Sequence, residues 1–321
     1  FRQTPMLINP ALTGNFNGAF RGIVNYRNQW ASIGSPYKTY AFSFDMGILK
    51  KKMGNKYLSA GLFVYKDIAG DTKLSTTQVN FSLSSSIPIN NMQRIIAGIQ
   101  GGFAQKSIDA SKMEWGSQYE GNAYNPGLLS GEINSYENDV YSDFSVGMAW
   151  QYGKGSNTMS SHDQLVVNTG IAVYHINKPV QEFDEENLHQ KIVLHGSATI
   201  GIANTNINLV PNFLILKQGP LGEINLGGLM RYTLSEESKY TGFLKESAVL
   251  MGGSYRLGDA FIPTIMLEIS NFLIGFSYDL TVSGLTEISN GNGGLELSLQ
   301  FINLNSTVSG KSSGNQPHSL F

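Results

Sequence analysis

Leu295-Glu296-Leu297-Ser298-Leu299-Gln300-Phe301 decides the fold. Leu295, Leu297, Leu299 and Phe301 occupy alternate positions, with Glu296, Ser298 and Gln300 between them. Successive side chains of a strand point to opposite faces, so this period of two describes a strand with one apolar and one polar side. The same alternation recurs upstream. Phe272, Ile274, Phe276, Tyr278 and Leu280 alternate with Asn271, Leu273, Gly275, Ser277 and Asp279. Ile224, Leu226, Met230 and Tyr232 alternate with Glu223, Asn225, Gly227 and Arg231. Near the start, Phe20, Val24 and Tyr26 oppose Arg21, Asn25 and Arg27, while Tyr40, Phe42, Phe44 and Met46 oppose Thr39, Ser43 and Asp45.

Where the charges fall selects among β folds. Arg21, Arg27, Asp45, Glu223, Arg231, Glu268, Asp279 and Glu296 all lie on the polar face of their strand. A soluble β-sandwich needs dry, apolar inner faces. In a membrane barrel the outer face meets lipid, where a charge near the midplane costs about 2–4 kcal/mol, so charges turn inward. These residues are therefore expected to line a lumen. The expected fold is all-β: a transmembrane antiparallel β-barrel of outer-membrane type, with about fourteen strands between the turn signals. Residues 19–304 form the barrel, 1–18 an N-terminal segment, and 305–321 a Ser- and Gly-rich flexible tail.

Composition agrees. Charged residues are 14% of the 321, against about a quarter in ordinary soluble domains, and the 36 glycines and 11% aromatics suit a barrel wall. A formal charge of −2 supplies no basic field for nucleic acid. The absence of cysteine excludes thiolate metal sites, a cysteine nucleophile and a disulfide framework. Phe1-Arg2-Gln3-Thr4-Pro5 has no basic region followed by an apolar core, so for an exported chain the numbering begins after a cleaved leader. The stretch from Ile192 to Leu216 has no Asp, Glu, Lys or Arg, yet His195, Asn204, Asn206, Asn208, Pro211 and Asn212 make it too polar for a membrane helix. It reads as two strands and a turn.

An even strand count returns both ends of the barrel to the periplasmic side. The outward connections then include the longest loop, about 109–138, and those near 178–189 and 284–292. Most opposite turns are short, as at Asn204-Thr205 and Ser270, although two near 153–162 and 235–245 are longer. In the N-terminal segment Pro5, Asn9, Pro10 and Gly14 argue against both helix and ladder. Asn9, Pro10 and Leu12 mark it as a candidate plug, with a lining of the periplasmic mouth as the other placement.

Chemistry is thinly represented. His195 falls with Val193, Ser197 and Thr199 on the lumen face, and the in/out phase of the strand ending near His175 stays open. With His162, His189 and His318 they make no metal spacing, and no nucleophile elbow of the G-x-S-x-G type occurs. Structural histidines are the favoured reading. Glu182, Asp184, Glu185 and Glu186 lack a calcium-loop register and read as a solvated loop. Gly98-Ile99-Gln100-Gly101-Gly102 sits in a strand pattern, where close strand packing explains the glycines better than a nucleotide. No cofactor or metal and no catalytic residue is expected. The outward loops are more informative. Trp115, Tyr119, Tyr124 and Tyr136 in the long loop, with Phe183 in a later one, are candidate partner-binding residues, since aromatics among small polar neighbours suit protein recognition. Packing as a girdle or lid is the competing reading.

A series of short motifs then identifies a family. Asn9-Pro10-Ala11-Leu12-Thr13-Gly14 is followed by Tyr26-Arg27-Asn28-Gln29-Trp30, Tyr37-Lys38-Thr39-Tyr40, Asp67-Ile68-Ala69-Gly70-Asp71 and Trp115-Gly116-Ser117-Gln118-Tyr119. Gly170-Ile171-Ala172-Val173-Tyr174-His175-Ile176-Asn177-Lys178-Pro179 completes the series. In this order the chain resembles the PorP/SprF outer-membrane proteins of type IX secretion and gliding motility in Bacteroidota. The resemblance implies a fourteen-stranded barrel shaped like long-chain fatty-acid transporters. It also implies a non-enzymatic partner that supports secretion of a large surface adhesin and anchors it through the adhesin's C-terminal sorting domain. Other secretion components and outer-membrane lipid are the further partners implied. A passive porin or small-solute transporter is the alternative.

Overall fold

The computed structural model describes residues 3–32, 34–48, 57–131, 138–154, 164–181, 186–235, 247–284 and 286–303. Within them fourteen strands close into one antiparallel barrel. They are β1 (Phe20–Gln29), β2 (Tyr37–Gly47), β3 (Tyr57–Ala69), β4 (Leu74–Pro88), β5 (Gln93–Ser107), β6 (Asp139–Lys154) and β7 (Leu165–Tyr174). The circuit continues with β8 (Lys191–Gly201), β9 (Ile207–Gln218), β10 (Leu221–Ser235), β11 (Ser247–Arg256), β12 (Ala260–Ile269), β13 (Phe272–Thr281) and β14 (Asn292–Asn303). Each strand pairs with its neighbour in sequence, and β14 returns to β1 with Phe20 opposite Asn303 and Gln29 opposite Gly294. Closure matters energetically, because lipid offers no partner for an unpaired strand edge.

The stretch that decided the fold shows how the wall is built. Leu297 and Leu299 are each 44% exposed, while Ser298 and Gln300 between them are buried. On β13, Phe272, Ile274 and Phe276 are exposed and Leu273 is buried. On β4, Phe81 and Leu83 face out, and Gln78, Asn80, Ser82, Ser84 and Ser86 form a buried polar stripe. The outer face is thus the apolar one, as lipid requires. Leu297 sits midway along its strand, so Leu297→Arg should lower the unfolding free energy of the barrel in bilayers by about 2–4 kcal/mol, measured by denaturant titration.

β7, whose phase the sequence leaves open, is now assigned. Val166, Asn168, Ala172 and Tyr174 are buried while Ile171 is exposed, so even-numbered residues face in. His175 lies one residue past the strand, in left-handed backbone at φ 57°.

Besides the register shifts at Thr233/Ser235 on β10 and Asp279/Leu280 on β13, two stretches of the wall lapse in pairing without a change of register. The β8–β9 register passes from Ser197–Asn212 to Ile200–Leu209, and the β12–β13 register from Phe261–Leu280 to Thr264–Ser277. Pro211 and Pro263 lie at these two interruptions, each lacking the N–H that a ladder uses. They also end one transverse row, Pro211–Gly228–Gly253–Pro263, across β9 to β12.

The N-terminal segment differs from expectation. Pro5–Ile8 forms one α-helical turn and Pro10–Leu12 a 3-10 turn. Each proline stands at the start of its turn, where its fixed φ is suitable and its missing N–H costs nothing, so proline here opens helices instead of preventing them. The long loop after β5 also carries small elements that its sequence did not announce: 3-10 turns at Ala110–Lys112 and Gly116–Gln118, and a hairpin of Tyr119–Glu120 with Ala123–Tyr124. Val180–Gln181 pairs with Glu186–Asn187 in the next such loop, and Thr286–Ser289 is a helical turn. The tail 305–321 lies outside the described residues.

Candidate functional site

Two regions carry the polar and aromatic groups of interest: the interior around the N-terminal segment, and the loop end opposite the strand termini Phe20 and Asn303.

Inside, Asn9 is the hub. Fully buried, it donates from Nδ2 toward Met148 O at 3.0 Å and Ile171 O at 3.2 Å, and the same nitrogen lies 3.0 Å from His195 Nε2. Its Oδ1 accepts from Ala11 N at 2.8 Å, capping the 3-10 turn. An amide nitrogen can only donate, so a hydrogen bond across this contact has His195 Nε2 as its acceptor. The wall makes room for this hub. A Cβ on Gly98 would fall within the Pro10–Ala11 peptide, and one on Gly147 would collide with the Asn9 side chain. Gly98 is therefore explained by the approach of the N-terminal segment, whereas Gly102, whose Cβ would meet Val79 and Asn80, does reflect close strand packing. Thr13 bonds to the β4 stripe through Ser82 Oγ and Ser84 Oγ, both at 2.6 Å. Tyr174 donates from its hydroxyl to Met6 O at 3.0 Å. Leu12, partly buried, packs with Ala11, Ile96 and Ala149.

The interior charges are arranged as pairs. Arg21 grips Asp45 with two bonds, Nε to Oδ1 at 3.0 Å and Nη2 to Oδ2 at 2.7 Å. Asp45 also accepts from Gly14 N at 2.7 Å, and Arg21 stacks 4.6 Å from the Phe16 ring. The pair thus ties the end of the N-terminal segment to β1 and β2. Arg231 meets Glu268 at 2.7 Å, and Asn25 donates to Glu296 at 2.8 Å. Toward the loop end Arg27 and Arg256 share Asp279 at 2.8 and 3.2 Å, and Arg256 also reaches Asp259 at 2.7 Å and Glu223 at 3.5 Å. The sequence reading did not single out Arg256, the last residue of β11, yet it is the centre of this cluster.

At the loop end, the segment after β5 is folded on itself. Gln118 is buried, donating from Nε2 to Leu128 O at 3.0 Å, while its Oε1 accepts from Trp115 N at 3.2 Å. Asn125 N donates to Gln118 O at 2.8 Å, and Ser117 Oγ to Ser130 O at 2.5 Å. These bonds hold out the hairpin, whose Tyr119 and Tyr124 rings pack 5.5 Å apart. Both rings are exposed, and Leu129 of the same loop is 92% exposed. Tyr119 donates to Glu114 Oε2 at 2.7 Å, which raises its pKa above the usual tyrosine value. Trp115 is only partly exposed. Tyr136 and Phe183 lie outside the described residues.

The segment after β7 is clamped to β6. His175 Nδ1 lies 2.9 Å from Asp143 Oδ1, and Asp143 Oδ2 accepts from Gln78 Nε2 at 2.9 Å. Asn177 Nδ2 donates to Ser142 O at 2.7 Å and Ile176 N to Phe144 O at 3.0 Å. Among the described residues neither His175 nor His195 bonds a serine or threonine hydroxyl through its ring, so no nucleophile–base pair is assembled there. His162 and His318 lie outside the described residues. Among those residues no three His, Asp or Glu side chains converge as a metal set.

Solved barrels similar to this chain include the toluene transporter TbuX of Ralstonia pickettii, with 9% identity over 94% of each chain and a TM-score of 0.47. The toluene transporter TodX of P. putida has 10% identity over 94% of this chain and 92% of its own, with a TM-score of 0.44. BamA of Haemophilus ducreyi lacking POTRA domains 1–3 has 9% identity over 89% of this chain and 70% of its own, with a TM-score of 0.46. No curated protein matches. The model of the type IX secretion system membrane proteins PorP/SprF matches residues 1–301, which takes in the N-terminal segment and nearly the whole barrel. The chain belongs to the PorP/SprF family of type IX secretion system membrane proteins, as an outer-membrane β-barrel.

Proposed function

We propose that this barrel is a non-enzymatic holding partner for an exported protein. Its outward loops bind the C-terminal sorting domain of a large secreted surface adhesin, supporting the adhesin's export and retaining it at the cell surface. The N-terminal segment closes the lumen meanwhile. The observation that carries this reading is the 109–131 loop. It is internally bonded, and it holds Tyr119, Tyr124 and Leu129 out to solvent at the end of the barrel away from the strand termini. Rigid aromatic anchors give binding energy at low entropic cost, and a prefolded loop avoids the cost of ordering on contact. Charge pairing inside favours a closed wall over a solute path, since each interior carboxylate named above already has a cationic or amide partner.

Deletion of residues 113–131, joined by a short Gly-Ser linker, tests it. Surface biotinylation of whole cells should show most of the type IX cargo lost from the surface and released to the medium, with the barrel itself at its normal level. Undiminished surface retention would contradict the loop assignment.

A further inference from the structure

The outer face of the wall carries charge of one sign only. Among the described residues of the fourteen strands, every Asp, Glu and Arg faces the interior, as do Lys106 and Lys191. The charged residues whose phase turns them to the lipid side are all lysines: Lys38, Lys66, Lys154 and Lys217. Lys38 shares the phase of Tyr40 and Phe42, 47% and 43% exposed, against the buried Ala41 and Ser43. Lys66 stands three residues after the fully buried Phe63, and so points outward as well.

Two of these lysines are neighbours. The β2–β3 register sets Tyr40 opposite Lys66 and Lys38 opposite Ile68. Lys38 and Lys66 are therefore diagonal partners on one face, with Cβ atoms about 7 Å apart. Ammonium groups within reach of each other repel, and among the described residues neither has an ion pair or a hydrogen bond. The other two differ. Lys217 donates from Nζ to Pro220 O at 3.3 Å, and Lys154 ends β6 at the opposite end of the barrel.

The surroundings set the depth of the pair. The Tyr26 and Tyr40 rings pack 5.2 Å apart beside it, and the Trp30 and Tyr37 rings 5.1 Å apart toward the loops. Such rings mark the level of the membrane–water interface. One row deeper in the wall, Phe42, Val64, Val79 and Phe103 lie side by side across β2 to β5.

We propose that this face of β2 and β3 binds a phosphorylated lipid of the outer leaflet. Lys38 and Lys66 take one headgroup phosphate between them, and the Phe42–Phe103 row takes the acyl chains. A phosphate converts the repulsion of the two ammonium groups into attraction at both. Lipid is favoured over an acidic protein segment because the lysines open directly onto the apolar row. The outer-leaflet source rests on the reading that the loop end faces the cell exterior.

The full-length barrel in a neutral detergent can be titrated with diphosphoryl lipid A and with lipid A stripped of its phosphates, at constant ionic strength, with binding read by native mass spectrometry. Diphosphoryl lipid A should bind saturably. Its affinity should fall about fivefold in Lys38→Gln or Lys66→Gln and about 25-fold in the double variant. Lys154→Gln should bind as the native chain does. Equal binding of the two lipid A forms, or unchanged affinity in the double variant, overturns the proposal. Complete displacement by millimolar inorganic phosphate overturns it too, because a lipid held by its chains as well would stay.

Sidedness is measured separately. The chain has no cysteine, so Leu129→Cys reports which side its loop occupies. A membrane-impermeant maleimide should label it on intact cells. Absence of labelling overturns the outer-leaflet source and the proposed function together. A failed titration with Leu129→Cys labelled removes the lipid site alone.

Discussion

Removal of residues 3–17 should convert a silent barrel into a conducting one. Purified native protein in a planar bilayer is expected to show no steady current, and the shortened chain discrete, long-lived open steps. The physical basis is the size of the barrel. Eight strands leave an interior that side chains fill, and sixteen to eighteen leave an aqueous channel, so fourteen need something more than their own side chains to close. On the proposed reading that something is the buried N-terminal segment. It is held by three Asn9 contacts to the wall, by Thr13 on the β4 serines, and by Gly14 on Asp45. Gly98→Val offers a gentler version, since its side chain must displace the Pro10–Ala11 peptide. Intermittent openings should follow. Steady conductance in the native protein would instead favour the passive porin.

The second large effect concerns Arg21 and Asp45, whose side chains are 4% and 1% exposed. Asp45→Ala leaves a buried guanidinium without its carboxylate and also frees Gly14 N, so a loss of about 3–5 kcal/mol is expected. Replacing both partners by apolar residues, Arg21→Met with Asp45→Leu, should cost clearly less than the single change, because the penalty lies in the unpaired charge. Urea titration of the barrel refolded in detergent measures both. A double variant as unstable as Asp45→Ala would mean that the pair acts through the N-terminal segment and not through its own charges.

The wall was legible in the sequence because lipid imposes a strict rule on every second residue. Leu297 and Leu299 against Ser298 and Gln300 could only alternate as they do in a two-sided strand, and the number of such strands followed from the turns. The interior was less legible. Nothing local to Asn9 announces His195, more than 180 positions away, and nothing in Gly98-Ile99-Gln100-Gly101-Gly102 distinguishes the glycine that admits another chain segment from the one that admits a neighbouring strand. Proline misled at Pro5 and Pro10, since the same residue that breaks a helix interior is favoured at its first position. The hairpin of Tyr119–Glu120 and Ala123–Tyr124 was out of reach for another reason. Strands of two residues are too short for any period, and Gln118, the buried amide beneath them, looks in the sequence like any other loop glutamine.

The decisive measurement is a contact in living cells. A photo-crosslinking phenylalanine analogue is placed at Tyr119 or Tyr124, with Ile274 on the lipid face as control. Irradiation should join the two loop positions to the C-terminal domain of a secreted surface protein and leave Ile274 without such an adduct. Absence of any adduct at Tyr119 and Tyr124, in cells whose cargo is displayed normally, would contradict the account.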